Sequence, residues 1–473
     1  MMHTTYIIFF FVIAFPRIFF IIFFPETGGD YEIYSTVAKN ILNGCGVSLS
    51  DPLTNECIPH FGGNHGPGYP LFISTIWFIS DSSNYLVRIT QTFIYSLSCL
   101  WLMRSIHLLY NKKNIVIILG FVLAMSPLLI AWPRYIQTET LSIAATIFLL
   151  AELILSIVNK KIRIISIAVA LILATWIRLD NIFLTIPVAV IVIYIHGFKI
   201  GILKGFLIAF ILSSTWGLWT LRNIEANLPS LLPSDMIMPD GSRPPKGYLK
   251  WTKTWITHEY ERPGALWGIN RKNYDSISIP ERAYADLNEK LKVTELLKIL
   301  EKSNKKDFPL LIDNEFKNIA ENKIDQNRYQ YWIKYPFIRA IRIWTNPFSS
   351  FGWPNEMPDR GITKEERMSA ASGNTKLLFQ KAIEYPLHAI SKGFNAAYRG
   401  ALMILLLYSM IKLFKNRDDF LFPIGLMTIS YILARTLFFS FNSNFETRYM
   451  VTTIPFIELI IILTLYPILI KRK

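Results

Sequence analysis

Long apolar runs separated by short polar segments are the dominant pattern along this chain. A helix of roughly 20 apolar residues crosses a bilayer core about 30 Å thick, and windows of that length recur along most of the sequence. Read in order, these windows predict ten transmembrane helices, whose ends the pattern places only to within a few residues. The predicted helices lie near 6–24, 84–109, 114–132, 138–158, 162–178, 182–197, 203–221, 397–414, 420–439 and 449–470.

The first apolar run, residues 6–24, has the length of a signal-peptide core. Three features favour a retained helix instead: no Lys or Arg precedes the run, no small-residue cleavage site follows it, and many further apolar runs come after it. We therefore count this run as the first transmembrane helix.

Composition and charge agree with a polytopic membrane protein. Of 473 residues, 52% are hydrophobic, 14% aromatic and only 18% charged, a balance unlike that of a soluble enzyme. The net charge of +15 comes largely from short basic loops, which the positive-inside rule places in the cytoplasm, and it does not indicate a nucleic-acid partner. The richest are 111–114, 159–163, 196–204, 412–417 and 471–473.

With the basic loops inside, both termini are cytoplasmic and the remaining loops face outward. The outward segments are 25–83, 132–139, 178–181, 222–396 and 442–448. They carry Arg beside carboxylates, Trp and Pro. The predicted organisation is residues 1–221 with helices one to seven, an extracytoplasmic domain over 222–396, and residues 397–473 with helices eight to ten.

The segment 222–396 is mostly polar, with nearly balanced charge. Leu287, Leu291, Leu297 and Leu300 have the spacing of one helix face. The stretch "YWIKYPFIRAIRIWTNPF" is typical of an interfacial helix with aromatic and Arg anchors. These patterns predict a small, mainly helical outer domain that rests on the membrane.

The first outward loop contains two predicted surface helices. Tyr34, Ala38 and Leu42 recur at helical spacing just after Asp30, and "GPGYPLF" supplies a rigid turn before the second helix. Cys45 and Cys57 share this loop, where an oxidising exterior permits a disulfide. Sequence alone leaves a disulfide and two free thiols equally open.

Several motifs resemble those of the GT-C superfamily of membrane glycosyltransferases. "GGDYEIYSTVAKNILNGCGVS" followed by "GPGYPLFIS" looks like the first outer loop of bacterial glycosyltransferase family 39, the protein O-mannosyltransferases and the lipid A aminoarabinose transferases. "SPLLIAWPRYIQTETLSIAATIFLL", "ATWIRLDNIFLTIP", "WGLWTLRNIEA" and "ETRYMVTTIPFIELI" resemble later outer helix ends in the same order. The resemblance covers about half of the chain, and residues 225–330 lie outside it.

The resemblance implies an inverting enzyme in the bacterial plasma membrane that moves a sugar from a polyprenyl-phosphate carrier to an acceptor hydroxyl on the outer, periplasmic face. Such a reaction needs a base for the acceptor and cationic donors for the departing phosphate. Asp30 matches the family's catalytic acidic position; capping of the following helix is its alternative role. Glu32 stands one residue later than the second carboxylate of some relatives, so its role stays open.

Further residues are candidates for substrate binding. Arg178 and Asp180 lie at a helix end, where they bind phosphate or only pair with each other. Arg134 and Glu139 could bind substrate, but a structural ion pair between them is favoured. Arg17 is expected to snorkel or to pair within the bundle. The full set of substrate-binding candidates is Tyr34, His65, Tyr69, Arg134, Glu139, Arg178, Asp180, Arg222, Asn223 and Arg448.

No cofactor is required by these motifs, although a divalent metal ion is an open possibility because His60 and His65 lie near Asp30 and Glu56. Metal-ligand spacings such as HExxH are absent from the sequence, as are Walker A and dinucleotide glycine motifs. Two rival functions remain: an O-antigen ligase or polymerase-like membrane enzyme, and a non-enzymatic transporter or flippase of lipid-linked sugars. The sequence names neither the sugar nor the acceptor, which is a glycan, a lipid or a protein.

Overall fold

The structure is a computed structural model, and it describes residues 2–50, 56–60, 66–228, 244–270, 273–303, 308–346, 349, 351–354, 375–416, 421–443 and 445–470. Helices dominate this part of the chain. The first half contains α1 (Met2–Phe23), α2 (Tyr31–Leu42), α3 (Gly68–Ser80), α4 (Asn84–Tyr110), α5 (Lys113–Met125), α6 (Glu139–Val158), α7 (Ile164–Ile177) and α8 (Thr185–Glu225). The second half contains α9 (Lys246–Lys253), α10 (Gly268–Asn270), α11 (Leu287–Lys302), α12 (Leu310–Gln326), α13 (Tyr335–Thr345), α14 (Thr375–Glu384), α15 (Pro386–Asn416), α16 (Leu421–Ser440) and α17 (Ile454–Ile470).

Seven helical segments in the described residues are long and apolar enough to cross a membrane. Three shorter apolar helices, α3, α5 and α7, accompany them. Large apolar side chains such as Phe15, Phe210 and Ile404 are exposed on the surface of the bundle. A helical, multi-pass membrane protein accounts for this exposure, because lipid covers such side chains.

The chain reverses direction inside α8. Gly197 has φ 69° and ψ 173°, a conformation that only glycine adopts readily. On either side of it, a Cβ atom added to Gly201 would lie 2.9 Å from the Cα atom of Ile193. Residues eight apart in a straight helix would be about 12 Å apart. The predicted helices 182–197 and 203–221 are therefore two antiparallel helices joined by a tight turn, without the longer basic loop that we expected.

The helix ends form two distinct ends of the bundle. We call the polar end the one at which Phe24, Glu139, Arg178 and Thr447 lie, and the basic end the opposite one. The basic end carries the described residues of 111–114, 159–163, 196–204 and 412–416. Within it, Arg163 pairs with the buried Glu152, and Lys412 Nζ donates to the Thr464 carbonyl at 2.6 Å. These four basic segments thus share one end, as predicted, and the fifth, 471–473, lies outside the described residues.

Several predicted helix ends are displaced. The helix expected over 114–132 ends at Met125, because Pro127 disfavours helical backbone at Ser126. The helix expected from 397 begins at Pro386. The helix expected over 449–470 starts as a 3₁₀ segment, Thr447–Thr453, before it becomes α17.

The segment 244–346 packs helices α9 and α11–α13 around its own aromatic core. Trp251, Trp255 and Phe316 lie at its centre and are almost completely buried. Helix α11 was predicted, and its buried face was predicted in part: Leu300 is inside as expected, Leu297 is partly buried, and Val293 and Leu296 are also inside. Leu287 and Leu291 are exposed. Leucine spacing alone missed Val293, which packs where Leu291 was expected.

Candidate functional site

The start of the first polar loop, residues 24–28, is held by backbone hydrogen bonds just before Asp30. Backbone hydrogen bonds run from Glu26 N to the Arg134 carbonyl at 3.1 Å and from Ile136 N to the Thr27 carbonyl at 3.2 Å. Gly28, with φ 91°, lies against the Gln137 side chain so closely that a Cβ atom there would be 2.4 Å from Nε2. The loop is therefore held against the segment between α5 and α6.

Asp30 occupies the position before α2, but its side chain makes no capping hydrogen bond. Its carboxylate instead faces Arg448, with 3.8 Å between Oδ2 and Nη2. Glu32 is exposed on the first turn of α2. Of the two carboxylates in "DYE", only Asp30 therefore belongs to this ion pair.

Ion pairs connect Asp30 to a larger group that we call the charge cluster. Arg448 Nη1 lies 3.5 Å from Glu139 Oε1, and Arg178 Nη1 lies 3.1 Å from the same oxygen. Arg178 Nε also pairs with Asp180 Oδ1 at 3.0 Å. The cluster comprises Asp30, Glu139, Arg178, Asp180, Arg262, Arg435, Glu446 and Arg448.

Two arginines of the cluster were missed by sequence reasoning. Arg435 Nη2 binds Asp180 Oδ2 at 2.7 Å, and Arg262 Nη1 binds Glu446 Oε1 at 2.8 Å. Arg435 interrupts the apolar run of α16, and a charge inside a membrane helix is a signal for a functional site. Arg262 lies in a segment without helical periodicity, so no sequence signal pointed to it.

Burial divides the cluster into an interior and a surface. The side chains of Glu139, Arg178 and Arg435 are 2%, 5% and 1% exposed, whereas Asp30 and Arg448 are 23% and 24% exposed. A ligand can therefore reach Asp30 and Arg448 more easily than the arginines behind them.

The electrostatics of the cluster favour the charged forms of Glu446 and Arg178. Although burial alone would raise the pKa of Glu446, Arg448 and Arg262 outweigh it and lower that pKa to about 2. Burial lowers the pKa of Arg178, but Asp180 and Glu139 raise it above its ordinary value. The cluster contains four arginines and four carboxylates, so its formal charges are equal in number.

Tyr34 and Tyr69 lie beside this network. Their rings meet edge to face with centroids 5.2 Å apart. Tyr69 donates its hydroxyl hydrogen to Gln91 Oε1 at 3.2 Å. The Tyr34 hydroxyl is buried and has no hydrogen-bond partner among the described residues. Burial, and then the neighbouring Asp30 and Glu139, raise the pKa of Tyr34 well above its usual value, so its hydroxyl stays protonated.

The remaining candidates bind backbone carbonyls near the cluster. Arg134 donates to the carbonyls of Gly352 at 2.8 Å and Phe24 at 3.0 Å. Because Glu139 pairs with Arg178 and Arg448 instead, the predicted Arg134–Glu139 pair is wrong. Charge and spacing suggested that pair, but Arg134 lies in a 3₁₀ turn that directs it toward the end of α1.

Arg222 ties α8 to the first loop. It donates to the carbonyls of Val47 at 2.6 Å and His60 at 2.7 Å, and to Asn223 Oδ1 at 3.1 Å. Val47 and His60 flank an antiparallel pair of strands, β1 (Ser48–Ser50) and β2 (Cys57–Pro59). Cys45 and Cys57 form a disulfide across this loop, with Cα atoms 5.9 Å apart. Arg222, which also binds Asn223, thus contacts the loop and not the charge cluster.

Arg17 pairs within the bundle, one of the two outcomes expected for it. Its guanidinium donates to the carbonyls of Ile13, Leu123 and Ala124. It also lies 4.1 Å from the centre of the Tyr95 ring.

His65 lies outside the described residues, so its predicted role has no structural counterpart. Within the ranges that the structure describes, no group of three or more His, Cys, Asp or Glu side chains has the arrangement of a metal site. Comparisons with protein-family models, with curated proteins and with solved structures found no match to this chain.

Proposed function

We propose that this protein is an integral membrane glycosyltransferase of the GT-C type. It moves a sugar from a polyprenyl-phosphate carrier to an acceptor hydroxyl at the outer face of the membrane, with inversion at the anomeric carbon. The observation that carries the proposal is the pairing of Asp30 with Arg448, the two more exposed ionic groups of the charge cluster, 3.8 Å apart. A base and a phosphate-binding cation are the two groups that this reaction needs side by side.

The proposed step is a single displacement. The Asp30 carboxylate takes the proton of the acceptor hydroxyl as the acceptor oxygen forms its bond to the anomeric carbon. The bond between that carbon and the phosphate oxygen breaks, and the phosphate leaves with the electron pair. Arg448 stabilises the departing phosphate, and one displacement from the opposite side inverts the configuration.

The buried arginines hold the geometry of this step. Glu139 forms ion pairs with both Arg178 and Arg448. It therefore holds the Arg448 guanidinium in place, while Arg178 neutralises the charge of Glu139. When a phosphate binds Arg448, Glu446 keeps Arg262 as its partner at 2.8 Å. The Tyr34 hydroxyl beside the cluster, which is buried and has no hydrogen-bond partner among the described residues, is a donor for the sugar or the phosphate once the substrate displaces the side chains that cover it.

The sidedness of the proposal follows from the distribution of charge. The basic end corresponds to the cytoplasm under the positive-inside rule, so the charge cluster faces outward. Counting the two halves of α8 and the shorter α5 and α7 as spans gives ten transmembrane helices. In the 244–346 segment, an exposed apolar stripe of Tyr329, Trp332, Ile333, Phe337 and Ile341 supports an outer domain that rests on the lipid surface.

Lipid analysis of the purified protein tests the proposal. We expect mass spectrometry to find a polyprenyl-phosphate sugar bound to the wild-type protein and depleted in Arg448→Gln. Arg328→Gln is the matched control, because Arg328 is 75% exposed and pairs with Asp325 on the surface. Retention of the same lipid by Arg448→Gln, or the absence of any polyprenyl phosphate from the wild type, would contradict the proposal.

Turnover separates the enzyme from a transporter. Addition of the identified lipid-linked sugar and its acceptor to the protein in nanodiscs should release free polyprenyl phosphate. A flippase would bind the lipid and leave it intact.

A further inference from the structure

A cavity lies in the 244–346 segment, and Asp30 is not among its lining residues. Its volume is about 340 Å³, within the range of roughly 300–1,000 Å³ that is usual for small-molecule sites. It opens between the end of α12 and the π-helical turn Gln330–Lys334 that precedes α13. Three tyrosines, Tyr284, Tyr331 and Tyr335, contribute to its wall.

The charges of the cavity wall are already balanced. Arg282 is ion-paired with Glu261, and Lys323 Nζ lies 3.0 Å from Glu289 Oε1. An anion would therefore have to displace a carboxylate from each cation. A neutral ligand fits beside both ion pairs without breaking either of them.

The rest of the polar wall suits a ligand rich in hydroxyl groups. Side-chain amides of Gln326, Asn327 and Gln330 offer both donors and acceptors. The tyrosine rings offer flat apolar faces with hydroxyl groups at their rims. Tyr335 donates to Gln330 Oε1 at 2.9 Å, which fixes one amide and one ring together. Saccharides present the same combination of apolar C–H faces and hydroxyl groups.

One short segment connects this cavity to the charge cluster. Glu261 pairs with the cavity residue Arg282, and the next residue, Arg262, pairs with Glu446 of the cluster at 2.8 Å. Glu259 accepts hydrogen bonds from the Thr447 hydroxyl at 2.8 Å and the Asn346 side chain at 2.7 Å. Residues 257–262 therefore contact both the cavity wall, through Glu261, and the charge cluster, through Arg262.

We infer that the cavity binds a neutral saccharide. Its identification as part of the acceptor rests on the proposed function, whereas saccharide binding itself does not. In this arrangement the cavity holds one portion of a glycan-bearing acceptor while another portion reaches Asp30.

Saturation-transfer NMR on the full-length protein in lipid nanodiscs tests the inference. Nanodiscs avoid sugar-based detergents, which would compete for the cavity. The probes are mannotriose, maltotriose and N-acetylchitotriose, with inorganic phosphate as the anionic comparison. We expect transfer to at least one trisaccharide and about tenfold weaker binding in Tyr331→Ala or Tyr284→Ala, since tyrosines are among the residues that most often dominate a binding surface.

Two controls make the outcome decisive. Tyr329→Ala should bind the trisaccharide normally, because Tyr329 is 63% exposed and is not among the lining residues. Asp30→Asn should also bind it normally, so that loss of sugar transfer and loss of saccharide binding are separate results. Equal binding by Tyr331→Ala, Tyr284→Ala and the wild type would overturn the inference. So would a response to phosphate alone, or no response to any trisaccharide.

Discussion

The side chains of Asp30 and Arg448 are more exposed to solvent than those of the other charged residues of the cluster. About a quarter of each side chain is exposed, whereas Arg178 has 5% of its side chain exposed. Both arginines pair with carboxylates, Arg178 with two and Arg448 with three, so exposure and not pairing separates them. The same residue type therefore serves two purposes here: Arg178 neutralises buried carboxylates, and Arg448 is placed to meet a ligand.

Substitution by Gln should separate these two arginines. Arg178→Gln leaves Glu139 and Asp180 with one arginine fewer in a buried site, so we expect a stability loss of about 3–5 kcal/mol. Arg448→Gln leaves Arg178 beside Glu139 and Arg262 beside Glu446, so its stability loss should be smaller and its loss of donor binding larger. Thermal unfolding and lipid binding measured on both variants check this. The reverse order of the two effects would contradict the assignment.

Acid should weaken the protein partly through Glu446. Its pKa of about 2 in the folded protein lies below the ordinary value of 4.5. The stabilisation that the ionised Glu446 carboxylate gives to the folded protein is therefore complete above pH 4.5. It is lost as the pH falls toward 2. We expect the fall in unfolding temperature across this interval to be shallower in Glu446→Gln. The exposed Glu295→Gln should retain the wild-type slope, and an unchanged slope in Glu446→Gln would refute the role of this carboxylate.

At the scale of elements, apolar runs were sufficient to locate the helices but not their ends. Runs such as 138–158 match a helix almost residue for residue because lipid and packing both require apolar side chains there. The early end of α5 depends on Pro127, and the early start of α15 depends on polar residues that a hydropathy window excludes. The tight turn at Gly197 depends on one backbone conformation, which composition does not reveal.

Gly197 should be intolerant of a side chain. A Cβ atom would meet nothing within 4 Å, so any loss in Gly197→Ala comes from the backbone at φ 69°. We expect destabilisation of about 1–3 kcal/mol by thermal unfolding. Gly205 is a matched control, since it is also uncrowded but lies within the helix, where Ala is favoured. Equal effects of the two substitutions would show that Gly197 is not a required turn.

At the scale of the whole molecule, the cluster joins distant parts of the chain. Asp30, Glu139, Arg178, Asp180 and Arg448 could be chosen from the sequence because each lies near a predicted helix end. Their pairing could not, because an ion pair depends on how the helices pack. Arg134 shows this limit: it lies close to Glu139 in sequence, but its donors reach backbone carbonyls.

The orientation of the molecule in the membrane can be measured with engineered cysteines. Lys298 and Lys161 are both exposed, in the 244–346 segment and at the basic end respectively. We expect a membrane-impermeant maleimide to label Lys298→Cys in intact cells and to leave Lys161→Cys unlabelled. The native cysteines should stay unlabelled, since Cys99 is buried and Cys45 is bonded to Cys57. The opposite pattern would place the cluster on the cytoplasmic side.

The most direct test of the account is the rate of sugar transfer by Asp30→Asn. Asn keeps the shape of the side chain but cannot take the acceptor proton, so transfer should fall by roughly 10²–10⁴-fold while donor binding and thermal stability persist. Asn also caps helices about as well as Asp, so a purely capping role predicts a fully active variant. Glu32→Gln, which changes the exposed carboxylate two residues away, should have a milder effect. A stable Asp30→Asn protein that transfers sugar at the wild-type rate would contradict the central claim.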